Sequence, residues 1–212
     1  LKTAPRSEFG AIIRNPSMWF LCGQQACRAG AYGFFGTWFP TYLQETHDVS
    51  VKESGYLQAL VLGGSLLGGL VGGLVTDWIW KRTGSLRASR SGAGAVALAG
   101  CSLLILSAWL IESPLGAVAL LSVGAFLAAF AGPCAYATTI DIGGSRVPQV
   151  FGLMNMCGNL ATAGSPVFVG YFVIWSYFWI LVRMLFAGVY FTGPVCWLFL
   201  NPVELVRGLV SV

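Results

Sequence analysis

The chain has 212 residues, 56% of them hydrophobic and only 9% charged, with a formal net charge of +4 at pH 7. Soluble domains carry about 25% charged residues, so the composition excludes a soluble globular enzyme and points to an all-α integral membrane protein. The small basic excess is sorted along the chain rather than gathered into a nucleic-acid-binding patch, and no nucleic acid is expected as a partner.

Residues 1–16 are polar and basic and are expected as a cytoplasmic linker, with Phe9, Ile12 and Ile13 spaced to lie on one side of a short surface helix. Pro16 then opens a first span over about 17–43, an apolar and aromatic stretch long enough for a bilayer, which takes about 20 residues. Arg28 lies near its middle. A guanidinium keeps its proton, and leaving it uncompensated at that depth costs at least about 3 kcal/mol. It must therefore face protein or water. Gln24, Arg28 and Tyr32 recur every four residues, with Gln25 one step round the same side, and mark a polar face. Two readings compete: an arginine paired within the protein, and an arginine that binds an anion at mid-membrane. The second is the working expectation, because intramembrane charges are functional by default.

A polar stretch, QETHDVSVKES, follows as a solvated loop. The second span, about 55–78, carries two ridges of small residues, Gly64–Gly68–Gly72 and Ser65–Gly69–Gly73, spaced for close helix contact. It ends in a burst of charge, TDWIWKRTGSLRASR. Further spans are expected at about 92–111, 115–140, 150–174 and 178–200, and 201–212 form a tail. Gly132-Pro133 should kink or break the fourth span. Asn155, Asn159, Thr162 and Pro166 share one face of the fifth. Arg183 lies one turn inside the sixth, where its side chain can snorkel to the headgroups. His47 has no partners at ligand spacing. The six cysteines lie in apolar stretches without a C-x-x-C pair, so neither a metal site nor a cofactor is expected.

Six spans place both termini on one side. Lys2, Arg6, Arg14, Lys81, Arg82, Arg87, Arg90, Arg146 and Arg207 fall there, against Lys52 alone opposite. The positive-inside rule makes the crowded side cytoplasmic, in a multi-pass protein of the cell membrane.

Gly73-Leu-Val-Thr-Asp77 with Lys81 and Arg82 resembles the G-x-x-x-D plus basic-loop motif of the major facilitator superfamily. ACRAGAYGFFGTWFPTYLQE is similar to the seventh helix of its anion:cation symporter branch, the branch of sugar-acid (hexuronate) permeases and of the vesicular glutamate and sialic-acid carriers. Asp141-Ile142 and FGLMNMCGNLATAGSPVFVGY resemble that branch's tenth-to-eleventh helix region. The motif loop departs from the pattern, with Trp-Ile-Trp between Asp77 and Lys81, as does Gly-Gly-Ser-Arg after Asp141.

The resemblance covers the chain as the C-terminal six of twelve helices. A start at Leu1, without an initiator methionine, fits an expectation that upstream sequence, including the N-terminal six-helix partner half, is absent. It implies a secondary transporter of a small organic anion working by alternating access, with proton symport inherited from the family and carried by no residue here. Arg28 would hold the substrate carboxylate. Gln24, Tyr32, Tyr136, Asn155 and Asn159 would line the site, the asparagines equally suited to interhelical hydrogen bonds and the tyrosines to plain packing. Asp77, Lys81 and Arg82 would form a cytoplasmic gate. A non-transporting six-helix scaffold or sensor is the alternative. An enzyme is not expected, since no intramembrane His/Glu cluster and no H-E-x-x-H are present.

Overall fold

The computed structural model describes residues 10, 12–111, 113–176 and 179–202, apart from the side chains of Trp109, Trp175, Ser176, Ile180 and Arg183. The expected surface helix at the N-terminus, Glu112, the Arg183 side chain and most of the tail lie outside the described residues.

Local chemistry sets the helix ends. The Asn15 side chain accepts from the Ser17 amide at 2.9 Å, and Pro16 follows at the first turn of α1 (Pro16–Thr37). Pro40 begins a new helix, α2 (Phe39–His47), which ends on Asp48 in the left-handed region. Ser50 and Glu53 form a capping box that opens α3 (Val51–Thr83), and Gly84, with φ 63°, closes it. The stretch read as a solvated loop therefore narrows to 48–50. Helical caps on both sides claim the rest, and Glu45 accepts from the Trp179 indole at 2.9 Å.

A π-helical turn, Arg87–Gly92, leads into α4 (Ala93–Ser107). α5 (Pro114–Gly143) runs through Pro133 without ending, and a 3-10 turn at Gly144–Arg146 carries the chain into α6 (Val147–Ser176). α7 (Trp179–Phe199) completes the described elements, all of which are helical. Among the described residues three apolar stretches are long enough to cross a membrane: Val51–Thr83, Arg87–Ser107 and Pro114–Ile174, the last containing the turn at Gly144. At about 1.5 Å per residue α3 is roughly 50 Å long, more than the ~30 Å hydrocarbon core, so it must tilt or protrude.

The helices associate as two pairs, α3 with α5 and α1 with α6, bridged by α4 and α7. The first pairing depends on the Gly64–Gly68–Gly72 ridge. A Cβ on Gly64 would stand 2.9 Å from the Ser122 carbonyl oxygen, and one on Gly68 would collide with the Phe126 carbonyl. The second depends on a staggered set, in which Gly30 meets Ala161, Gly33 meets Ser165 and Gly158 meets Gln25. Trp197, Tyr190, Phe35, Phe39 and Met18 fill the interior, whereas Leu66, Leu70, Leu74, Leu160 and Phe168 face outward. An apolar exterior on this scale is what a lipid environment asks for.

Candidate functional site

The two helix pairs diverge where α1 passes α3 and α5, and a cleft of about 520 Å³ opens there. Arg28 is the one charged residue among those lining it. The second ridge of α3 forms one wall, with Ser65 and Gly69, while Gly132, Pro133 and Tyr136 of α5 form another. A Cβ on Gly69 would meet nothing within 4 Å. One face of α3 thus packs and its neighbour opens a cavity.

Two contacts fix the Arg28 guanidinium. Its NH2 donates to the Gln25 Oε1 at 3.0 Å, one turn back on the same helix. Gln25 is itself pinned, because α6 brings Gly158 against its side chain, with 2.9 Å from a Gly158 Cβ position to the Gln25 Cγ. NH1 lies over Gly132, 3.5 Å from the place where a Cβ would stand. Nε is buried and meets no acceptor among the described residues. No carboxylate is paired with Arg28 there either. A guanidinium offers five N–H donors and no acceptor, so the cleft holds a positive group with unspent hydrogen-bonding capacity. An anion is the ligand that such a group takes.

Of the other expected lining residues, Tyr32 and Tyr136 border the same cleft. Neither hydroxyl has a hydrogen-bond partner among the described residues, and the Tyr136 ring rests on Phe151 with 5.6 Å between centroids. Gln24 is placed differently: it is fully buried, its Nε2 donates to the Leu21 carbonyl at 3.1 Å, and its Oε1 is unpartnered. Asn155 and Asn159 lie on α6, half-buried and exposed, flanking the face that packs on α1 rather than lining the cleft with Arg28. The structure therefore gathers Arg28, Tyr32 and Tyr136, and leaves Gln24, Asn155 and Asn159 apart. Gln25, Gly132 and Pro133 join the site. Pro133 carried a signal in the sequence, since it leaves the Ala129 carbonyl on the cleft wall without its helical amide donor.

The charged end of the bundle holds a second cluster. Asp77 is exposed at the end of α3, and Lys81 and Arg82 are exposed beyond it. Arg82 sits over the Trp78 ring at 5.7 Å, and neither base pairs with Asp77 among the described residues. The residue that does reach Asp77 is Arg90, with NH1 3.7 Å from Oδ1. Arg90 is only 5% exposed, and its Nε donates to the Asp141 Oδ2 at 2.8 Å. It links the ends of α3 and α5 through the π-turn. In the sequence Arg90 stands only as one of the cytoplasmic bases.

The family model described as Major Facilitator Superfamily matches residues 1–166. A probable sulfoacetate transporter of Cupriavidus necator is 30% identical over 186 residues, covering 88% of this chain and 43% of that protein. A probable galactarate/D-glucarate transporter of Escherichia coli is 29% identical over 157 residues, 71% of this chain and 33% of its own length. A hexuronate transporter of Bacillus subtilis is 30% identical over 145 residues, 66% of this chain and 34% of its own. The chain thus spans less than half the length of these relatives.

Proposed function

The chain belongs to the major facilitator superfamily, and we propose that it forms the C-terminal six-helix bundle of a secondary transporter for a small organic anion, a sugar acid or another carboxylate. The observation that carries this reading is Arg28: a cation held by Gln25 at the wall of an open cleft, with no carboxylate beside it among the described residues. The similar proteins named as sulfoacetate, galactarate/D-glucarate and hexuronate transporters support an organic acid as the substrate class.

In this reading the six crossings are α1 with α2, then α3, α4, α5, α6 and α7, with both termini cytoplasmic in the cell membrane. The substrate carboxylate takes the Arg28 NH1 and the free N–H of NH2 as a fork, a charge-assisted arrangement suited to its planar geometry. Tyr32 and Tyr136 offer hydroxyls to the sugar, and Gln24, Asn155 and Asn159 come into reach as the bundle moves through its cycle. Such transporters place the site between two six-helix halves, so the cleft is completed by an N-terminal half. Asp77, Lys81 and Arg82 meet that half at the cytoplasmic gate. Proton symport requires a titrating carboxylate along the pathway. None lines the cleft among the described residues, so the partner half supplies it.

The test is reassembly. Co-expression with a matching N-terminal half is expected to restore accumulation of a labelled hexuronate or aldarate in cells lacking their own permease, while this chain alone gives none. A reassembled pair that reaches the membrane in good yield and takes up no organic acid would overturn the reading and favour a scaffold.

A further inference from the structure

At the charged end of the bundle a cavity of about 360 Å³ opens between the π-turn and the end of α7. Ser85, Arg87, Ser91 and Gly92 form one wall, and Trp197 and Leu198 the other. Arg87 is exposed and makes no ion pair among the described residues. Trp197 is fully buried, and its indole N–H meets no acceptor among the described residues. Its ring lies so close to α4 that a Cβ on Gly94 would stand 2.7 Å away, so the indole is fixed. Ser91 is already committed, its Oγ donating to the Leu200 carbonyl at 3.3 Å, and Ser85 accepts from the Ala88 amide. No carboxylate lines the cavity among the described residues, and Asp77 and Asp141 are engaged with Arg90. An exposed guanidinium at a cavity wall, with donors and no acceptor, asks for an anionic acceptor.

A second feature says what carries that anion. Gly92 also borders an apolar groove of about 510 Å³ between α3, α4 and α5, walled by Ile79, Val96, Gly100, Phe126 and Phe130. Gly92 has no side chain to separate the groove from the polar cavity. From Gly92 to Gly100 the groove follows α4 for about 12 Å, close to the depth of one leaflet of a ~30 Å core. Val96 is 74% exposed, so this flank faces outward. Trp78 and Trp80, 58% and 45% exposed at the end of α3, stand beside Lys81 and Arg82 in the pattern of an interfacial aromatic belt. They put the polar cavity at headgroup depth.

We propose that this composite cavity is a binding site for an anionic phospholipid, its phosphodiester held by the Arg87 guanidinium, with one acyl chain in the α3/α4/α5 groove. The inference rests on the chain's residence in a membrane and not on the transport reading. It is independent of Arg28.

The test uses the purified full chain, stripped of lipid in a neutral detergent. It is titrated with phosphatidylglycerol, with phosphatidylcholine of the same chains and with inorganic phosphate, and read by native mass spectrometry and by the thermal midpoint. Phosphatidylglycerol is expected to be retained and to raise the midpoint, with phosphatidylcholine and phosphate well behind. Arg87→Ala should weaken phosphatidylglycerol binding roughly tenfold. Equal retention of both lipids, or full binding by Arg87→Ala, overturns the site. Protection by phosphate equal to that by phosphatidylglycerol overturns the lipid and leaves a free-anion pocket. The variant is expected to fold, because Arg87 is exposed and its loss leaves the core intact.

Discussion

Arg90 is buried between two carboxylates, 2.8 Å from Asp141 and 3.7 Å from Asp77, whereas Arg28 is half-buried with a single glutamine oxygen for company. Both residues carry the same charge inside an apolar bundle. Arg90 is neutralised within the chain, so its role is to hold α3, α5 and the π-turn together. Arg28 is held in place but meets no carboxylate among the described residues, so its charge stays open to a ligand. The contrast teaches that the partner set, rather than depth or residue type, distinguishes the two arginines.

The comparison breaks first at Arg90. Removing one member of a buried ion pair costs about 3–5 kcal/mol, because the other charge is left uncompensated. Arg90→Ala should therefore lower the thermal midpoint of the purified chain sharply, with Asp141→Asn close behind. An unaltered midpoint would show that the pair is dispensable.

The two ridges of α3 sharpen the same distinction between packing and opening. Gly68→Val drives a side chain into the Phe126 carbonyl of α5 and should cost about 1–3 kcal/mol by overpacking. Gly69→Val points into the cleft, where nothing lies within 4 Å, and should leave the midpoint almost unchanged while reducing uptake. Equal midpoints for both variants would contradict the assignment of the ridges. Asp77→Asn gives the smallest change, under about 1 kcal/mol, since the carboxylate is 65% exposed and its contact is long. A loss as large as that of Asp141→Asn would place Asp77 inside the structural pair.

Much of this arrangement was legible in the sequence. Arg28 stood out because one charge in a long apolar run has few explanations, and the glycines at intervals of four announced a close contact. Which ridge would pack was not legible, as both have the same spacing. The pairing of Arg90 with Asp141 escaped because it joins positions 51 apart and because the π-turn buries a residue that looked like loop. Gln25 was visible on the polar face, but its role depends on Gly158, which only the packing of α6 on α1 supplies. The same packing leaves Asn155 and Asn159 at the flank of that contact, a placement that their shared face could not reveal.

The central claim is that Arg28 is an anion anchor, and uptake by the reassembled transporter tests it most directly. A bidentate, charge-assisted contact is worth about 1.5–3 kcal/mol, so Arg28→Gln should lower uptake of a labelled sugar acid by roughly 10- to 150-fold at equal membrane protein. Its thermal midpoint should fall less than that of Arg90→Ala, since no buried carboxylate is left behind and only one neutral acceptor, the Gln25 Oε1, loses its donor. Arg28→Lys keeps the charge, loses the planar fork and should also be impaired. Undiminished uptake by a well-expressed Arg28→Gln transporter would contradict the account.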